Sequence, residues 1–208
     1  MAKKTASDAK RKILANQILD SLVKRVETDL AKNPNDKKLV YYKSAMNTLV
    51  KKKNVSYKDL MSLFPFFHDT GAAFFTASSS ELKAIASYYN IVLPILEKAK
   101  IYQHFDYMLL DDNLMRKNSI GYLTEQEVYD ALDERGFKNL SSLNHDQARE
   151  MLARHFAFTH LIQNYARSHA TSRKKEGVDP AAEYEMDELD IGAAVGMITL
   201  ARALDVKG

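Results

Sequence analysis

Cysteine and tryptophan are absent, and among 208 residues there are only 4 Pro and 7 Gly. Without cysteine there is no disulfide, no thiolate nucleophile and no cysteine-ligated zinc or iron–sulfur site. Few Pro and Gly mean few turn signals, which favours long helices over many short strands. The longest apolar stretch, Ile191 to Ala201, is about half of the roughly 20 residues that span a bilayer. Its small residues suit a buried, closely packed helix. No segment alternates with period two, no fixed-length repeat recurs and no tract is of low complexity. A Gly-rich phosphate loop, a nucleophile elbow and a defensible carboxylate pair are also missing. The expectation is therefore an all-α protein with no catalytic activity and no cofactor.

What is present is uneven charge. Residues 1–60 hold 15 Lys and Arg against 6 Asp and Glu, while the whole chain is only +3. A basic first third points to an acidic partner, such as RNA, anionic lipid or an acidic protein face, or to a merely solvated helical surface. The opening MAKKTASDAKRKILANQIL is nearly free of acids and compatible with a mitochondrial transit peptide, but it also continues the periodicity of the first helix.

That helix is expected from about Asp8 to Leu30, with Leu14, Ile18, Leu22, Val26 and Leu30 at steps of four. The turn NPND leads into a second helix carrying Leu39, Tyr42, Met46, Leu49 and Val50, which makes an antiparallel hairpin over residues 1–56. Lys51, Lys52 and Lys53 close it where the helix dipole favours cations. After a short helix from Tyr57 to Leu63 comes FPFFHDTGAAFFTASSS, the least regular stretch. Its aromatics are costly to expose, so they are expected to pin it to the core. The alternative is an aromatic docking patch. Ser78 to Glu81 forms a capping box before ELKAIASYYNI. Pro94 opens a helix to about Leu110, with Ile95, Ala99, Tyr102, Phe105 and Leu109 facing inward. DDNLMRKNSIGY connects to a helix punctuated at both ends. Thr124 and Glu127 make its capping box, and Gly136 suits the left-handed position that stops it. Asn144 and Gln147 cap the next helix, which carries Ala148, Met151, Leu152, His155, Phe156, Thr159, Leu161 and Ile162. A polar linker spans 167–186, and a last helix lies within 187–208.

Histidines and acids show no metal pattern. His155 and His160 do not share a helix face as an i,i+4 ligand pair would. Asp111, Asp112 and Asn113 lack the alternate spacing, Gly and terminal Glu of a calcium loop, so they read as a polar helix end.

The order of signals from Ser79 to Phe156 carries a resemblance. SSELKAIASYYNI, the Pro94 helix, MLLDDNLMRKNSIGYLTEQEVYDALDERGF and LSSLNHDQAREMLARHF together resemble the ribosome-binding, or LETM, domain of the mitochondrial leucine-zipper/EF-hand transmembrane family. Leu123, Thr124, Glu127, Ala131, Arg135 and Gly136 fall on its central pattern, and Leu143 and Leu152 near its last part. The family's transmembrane helix, EF-hand and coiled coil have no counterpart here, and its closing Trp is replaced near His155–Phe156. A SAP nucleic-acid module also has a short helix ending in Arg-Gly, but Asn144–His145–Asp146 stands where that module carries Gly and Lys.

The resemblance implies a 14-3-3-like helical bundle over residues 57–166, lying in the mitochondrial matrix and peripheral to the inner membrane. The implied function is a non-catalytic docking subunit of the mitochondrial ribosome, the ATP synthase or another respiratory complex, with other protein subunits as partners. The alternative is an RNA- or ribosome-binding factor that uses the basic hairpin. Lys51, Lys52, Lys53, Phe64, Phe66, Phe67, Phe74 and Phe75 are the candidate contact residues.

Overall fold

The computed structural model describes residues 2–69, 76–92, 97–173 and 188–206, with side chains over 8–68, 76–92, 98–168 and 190–206. Among the described residues every regular element is helical: α1 (Ala2–Lys32), α2 (Lys37–Lys51), α3 (Tyr57–Met61), α4 (Phe64–Asp69), α5 (Ser79–Tyr88), α6 (Glu97–Asn118), α7 (Glu125–Glu134), α8 (His145–Arg173) and α9 (Glu188–Ala203). Two 3-10 turns, Ile120–Tyr122 and Leu140–Ser142, flank α7. None of the described helices is long and apolar enough to cross a membrane.

The arrangement follows from which faces are apolar. In α9, Ile191, Ala193, Ala194, Val195, Met197, Ile198, Leu200 and Ala201 are all buried. A helix apolar all round belongs at the centre, and α9 packs against α1, α3, α4, α6 and α8. Its small residues allow close approach; the Phe67 ring lies directly against Gly196. Ile18, Leu22 and Val26 of α1 are buried at helical spacing, and α1 packs on α2, α5 and α9. Asp36 starts α2 by accepting from the N–H groups of Lys38 and Leu39, offsetting donors that the first turn leaves without helical partners.

Two apolar clusters result. The larger joins α1 to α6, the later part of α8 and α9. The smaller joins Val128, Ala131 and Leu132 of α7 to Phe137, Leu140 and the first half of α8, through Ala148, Met151, Leu152 and Phe156. Helix α7 therefore rests chiefly on α8. Its two expected end signals are both formed: Thr124 and Glu127 close a reciprocal capping box, and Gly136 adopts φ +77°. Asn144 and Gln147 also bond reciprocally, at 3.0 and 2.9 Å. Arg149 on α8 fastens the preceding turn by donating to the carbonyls of Ile120 and Leu123.

Several expectations change. The FPFF stretch is helical, and Phe64, Phe66 and Phe67 are at most 1 % exposed. They pin the chain to the core and offer no docking surface. Phe74, Phe75, Pro94 and Ile95 lie outside the described residues. Helix α6 does not stop near Leu110 but runs through the Asp-Asp step to Asn118. It buries Ile101, Phe105, Met108 and Leu109 and leaves Ala99 exposed. Val50 and Leu161, named with the apolar positions of their helices, are 45 % and 42 % exposed. Helix α8 continues to Arg173, into the stretch read as linker. The box expected at Ser78 is half made: Glu81 N–H donates to Ser78 at 3.2 Å, but the Glu81 carboxylate turns inward to Arg25.

Candidate functional site

Three helices end at one place. The left-handed residue after each is Asn90 for α5, Gly136 for α7 and Asp205 for α9. In each case the next N–H bonds back five residues: Ile91 to Ala86 O at 2.8 Å, Phe137 to Leu132 O at 3.0 Å and Val206 to Ala201 O at 2.9 Å. These are Schellman motifs, which reverse the chain but leave further carbonyls to be satisfied. Helix carboxyl ends also carry partial negative charge, and cations answer both needs.

Arg11 from α1 donates to Tyr88 O at 3.2 Å, Asp133 O at 2.8 Å, Phe137 O at 2.9 Å and the Asp133 carboxylate at 2.6 Å. Arg202 from α9 donates to Arg135 O and Val206 O, each at 3.1 Å. Its guanidinium also lies 3.4 Å from the centroid of the Phe137 ring. The Tyr88 hydroxyl donates to Gly136 O at 3.0 Å. Arg135 turns back toward α6, with 2.6 Å bonds to both Asp111 and Asp112 and a 3.1 Å bond to Ala131 O. The Asp-Asp step and the Arg-Gly stop are thus two halves of one contact.

His155 completes the cluster from α8. Arg202 approaches its Nδ1 at 2.7 Å. A guanidinium can only donate, so Nδ1 accepts and the ring proton sits on Nε2. That atom faces Asp112 Oδ2 at 3.1 Å, misaligned for a full hydrogen bond. Burial pushes the His155 pKa down to about 4 against the opposing pull of Asp112. Burial pushes the Asp112 pKa up, but His155 and Arg135 outweigh it and hold it below the usual carboxylate value.

Both groups bind protons more readily in the unfolded chain, so stability is full above the unfolded histidine value and falls as pH drops toward that of the folded state. With His155 moving from 6.5 to about 4, its contribution is on the order of 3 kcal/mol, lost between those pH values. In urea melts across this range, His155→Asn is expected to flatten the slope; an unchanged slope would show that His155 is not the responsible group.

Arg11, Arg135, Arg202, Asp112 and His155 are each at most 3 % exposed. No substrate reaches them, and the cluster acts by fixing helix positions. A second buried pair, His68 with Asp190 at 3.1 Å, ties α4 to the start of α9. Neither pair was visible in the sequence, because the partners are 43 and 122 residues apart. Among the described residues no group of three or more His, Asp or Glu could hold a metal ion.

The surface differs. Residues 37–53 contain six Lys and no acid. Lys43 pairs with Glu27 at 3.2 Å and Lys52 with Asp59 at 2.7 Å. Lys37, Lys38, Lys51 and Lys53 are exposed and have no ion-pair partner among the described residues. Opposite the buried face of α2, Lys37, Val40, Tyr41, Ser44 and Lys51 share one side, and Tyr41 is 53 % exposed. Of the candidate contact residues, Lys51, Lys52 and Lys53 are therefore on the surface and Phe64, Phe66 and Phe67 are not. A separate stripe on α6, Tyr107, Leu110 and Leu114, is 50 to 63 % exposed.

No curated protein and no solved structure matches the chain. The family described as LETM1-like, RBD is matched over residues 1–163, a span that takes in the basic hairpin, α3 to α7 and the first part of α8. With more than three quarters of its length matched, and with the Asp-Asp and Arg-Gly signals joined in one contact, this chain belongs to the LETM1-like ribosome-binding-domain family.

Proposed function

We propose that the protein is a non-catalytic docking factor of the mitochondrial matrix that binds the mitochondrial ribosome through the exposed lysines of α2 and of the residues just after it. The observation that carries this reading is the set of four exposed, unpaired lysines on an acid-free segment, in a chain of a ribosome-binding-domain family. Phosphates are the most abundant anions on a ribosome. Lysines contact them without reading sequence, while Ser44 and Tyr41 suit hydrogen bonding and stacking. The buried arginine cluster supports the role by holding the hairpin rigid against α5 and α7.

Cosedimentation with mitochondrial ribosomes over a salt series tests this. Each neutralised phosphate contributes about 0.7 to 0.9 to the slope of log affinity against log salt. Replacing Lys37, Lys38, Lys51 and Lys53 by Gln is expected to lower that slope by about 3, with the melting temperature unchanged. An unchanged slope would remove α2 from the interface.

The α6 stripe favours a second reading, an accessory subunit of the ATP synthase or another respiratory complex held through apolar area. Retention in such a complex at high salt, and after ribonuclease, would select it.

A further inference from the structure

A pocket of about 320 Å³ lies where the first half of α1 meets the chain just after α7 and α9. Asp8, Lys12 and Asn16 line it at steps of four, so one face of α1 forms a wall. Lys138 and Asn139 border it from the turn after α7, and Asp205 from the residues after α9.

Lys138 is the unusual member. Its side chain is only 10 % exposed, whereas Lys12 on the same pocket is exposed. Among the described residues its ammonium makes no hydrogen bond, and its ion pair with Asp205, at 3.9 Å, is too long to be one. The nitrogen is nevertheless not sealed off from solvent. A lysine stem is thus packed away while its nitrogen stays weakly held at the edge of a pocket large enough to admit a small group. Burial pushes the Lys138 pKa down, and Arg202 and Lys12 add to this, against the pull of Asp205 and Asp8. An amine that is desolvated and poorly paired spends more time neutral, and only the neutral amine is a nucleophile.

We infer that Lys138 is a covalent modification site, an acceptor of acyl groups from thioesters, with the acyl group lodged in the pocket. The ammonium first loses a proton to solvent. The neutral nitrogen then attacks the thioester carbonyl carbon, the C–N bond forms and the C–S bond breaks. The thiol leaves with one of the two protons left on nitrogen, so the product is a neutral amide. Asp205 then loses its contact with the Lys138 cation, and the charge at the junction of α1, α7 and α9 changes by one. This inference is independent of the docking reading, since neither the pocket nor Lys138 belongs to the α2 surface.

Incubation of the folded protein with acetyl coenzyme A, followed by peptide mass spectrometry over a pH series, tests it. Lys138 is expected to reach a higher fractional acetylation than Lys12 and Lys51, and to do so with a midpoint at lower pH. Lys12 is the close control, because it borders the same pocket but has an exposed stem. In urea, where the pocket is lost, the preference for Lys138 is expected to vanish. Asn16→Phe adds bulk at an exposed pocket position and is expected to lower acetylation of Lys138 while leaving that of Lys51, and the melting temperature, unchanged. Acetylation of Lys138 no faster than that of Lys12 and Lys51 in the folded protein would overturn the inference. So would a preference that survives in urea, or one that Asn16→Phe leaves intact, because the reactivity would then not come from the pocket.

Discussion

Gly136→Val is expected to remove a large part of the stability of the fold. Gly136 holds φ +77°, and a Cβ added there would stand 2.8 Å from Tyr88 Cε1 and 2.9 Å from Tyr89 Cε1. The left-handed conformation costs a residue with a Cβ about 1–2 kcal/mol. Forcing atoms into a packed site costs about 1–3 kcal/mol more. Neither tyrosine can move freely: both are at most 5 % exposed, and the Tyr88 hydroxyl bonds Gly136 O itself. The sum, about 2–5 kcal/mol, is a large part of the roughly 5–15 kcal/mol that keeps a domain folded. Gly136→Ala isolates the contribution of φ and a single methyl and is expected to cost less. Chemical denaturation of both variants checks the order. Equal, small losses would mean that α5 and α7 are not in the contact described.

Arg135→Met is expected to cost about as much, by a different route. The substitution keeps most of the apolar stem but removes a guanidinium that is 0 % exposed. Asp112, itself 2 % exposed, is then left with only the misaligned His155 contact. Breaking a buried ion pair from one side costs about 3–5 kcal/mol, because the remaining charge stays buried without its partner. Arg135→Lys is not expected to rescue, since one ammonium cannot reach Asp111, Asp112 and the Ala131 carbonyl together. Combining Arg135→Met with Asp112→Asn removes the stranded charge and is expected to recover part of the loss. Additive losses in the double variant would show that the two side chains do not interact.

The exposed lysines and the buried arginines do different work with the same charge. Arg11, Arg135 and Arg202 satisfy carbonyls and carboxylates inside the protein and are unavailable to partners. Lys37, Lys38, Lys51 and Lys53 have no internal partner among the described residues. The excess of basic residues in the first third is thus divided between architecture, mainly through Arg11, and surface, mainly through α2.

Sequence alone determined the helical class, the hairpin, and the start and stop of α7. Those signals are local: Thr124 with Glu127 and Arg135 with Gly136 lie within one or two turns, so spacing and residue type suffice. Family membership was legible for the same reason, as an ordered series of local signals. Tertiary structure decided the rest. Asp111 and Asp112 read as a helix end, yet α6 runs through them, because Arg135 and His155 supply partners more than 20 residues away. Phe64, Phe66 and Phe67 carry the same residue type whether they pin a loop or face a partner; only packing against α9 and its neighbours places them inside. Glu81 shows the limit most plainly. Its spacing from Ser78 fits a capping box, but a half-buried Arg25 from α1 draws the carboxylate inward, a partner that only the folded chain supplies.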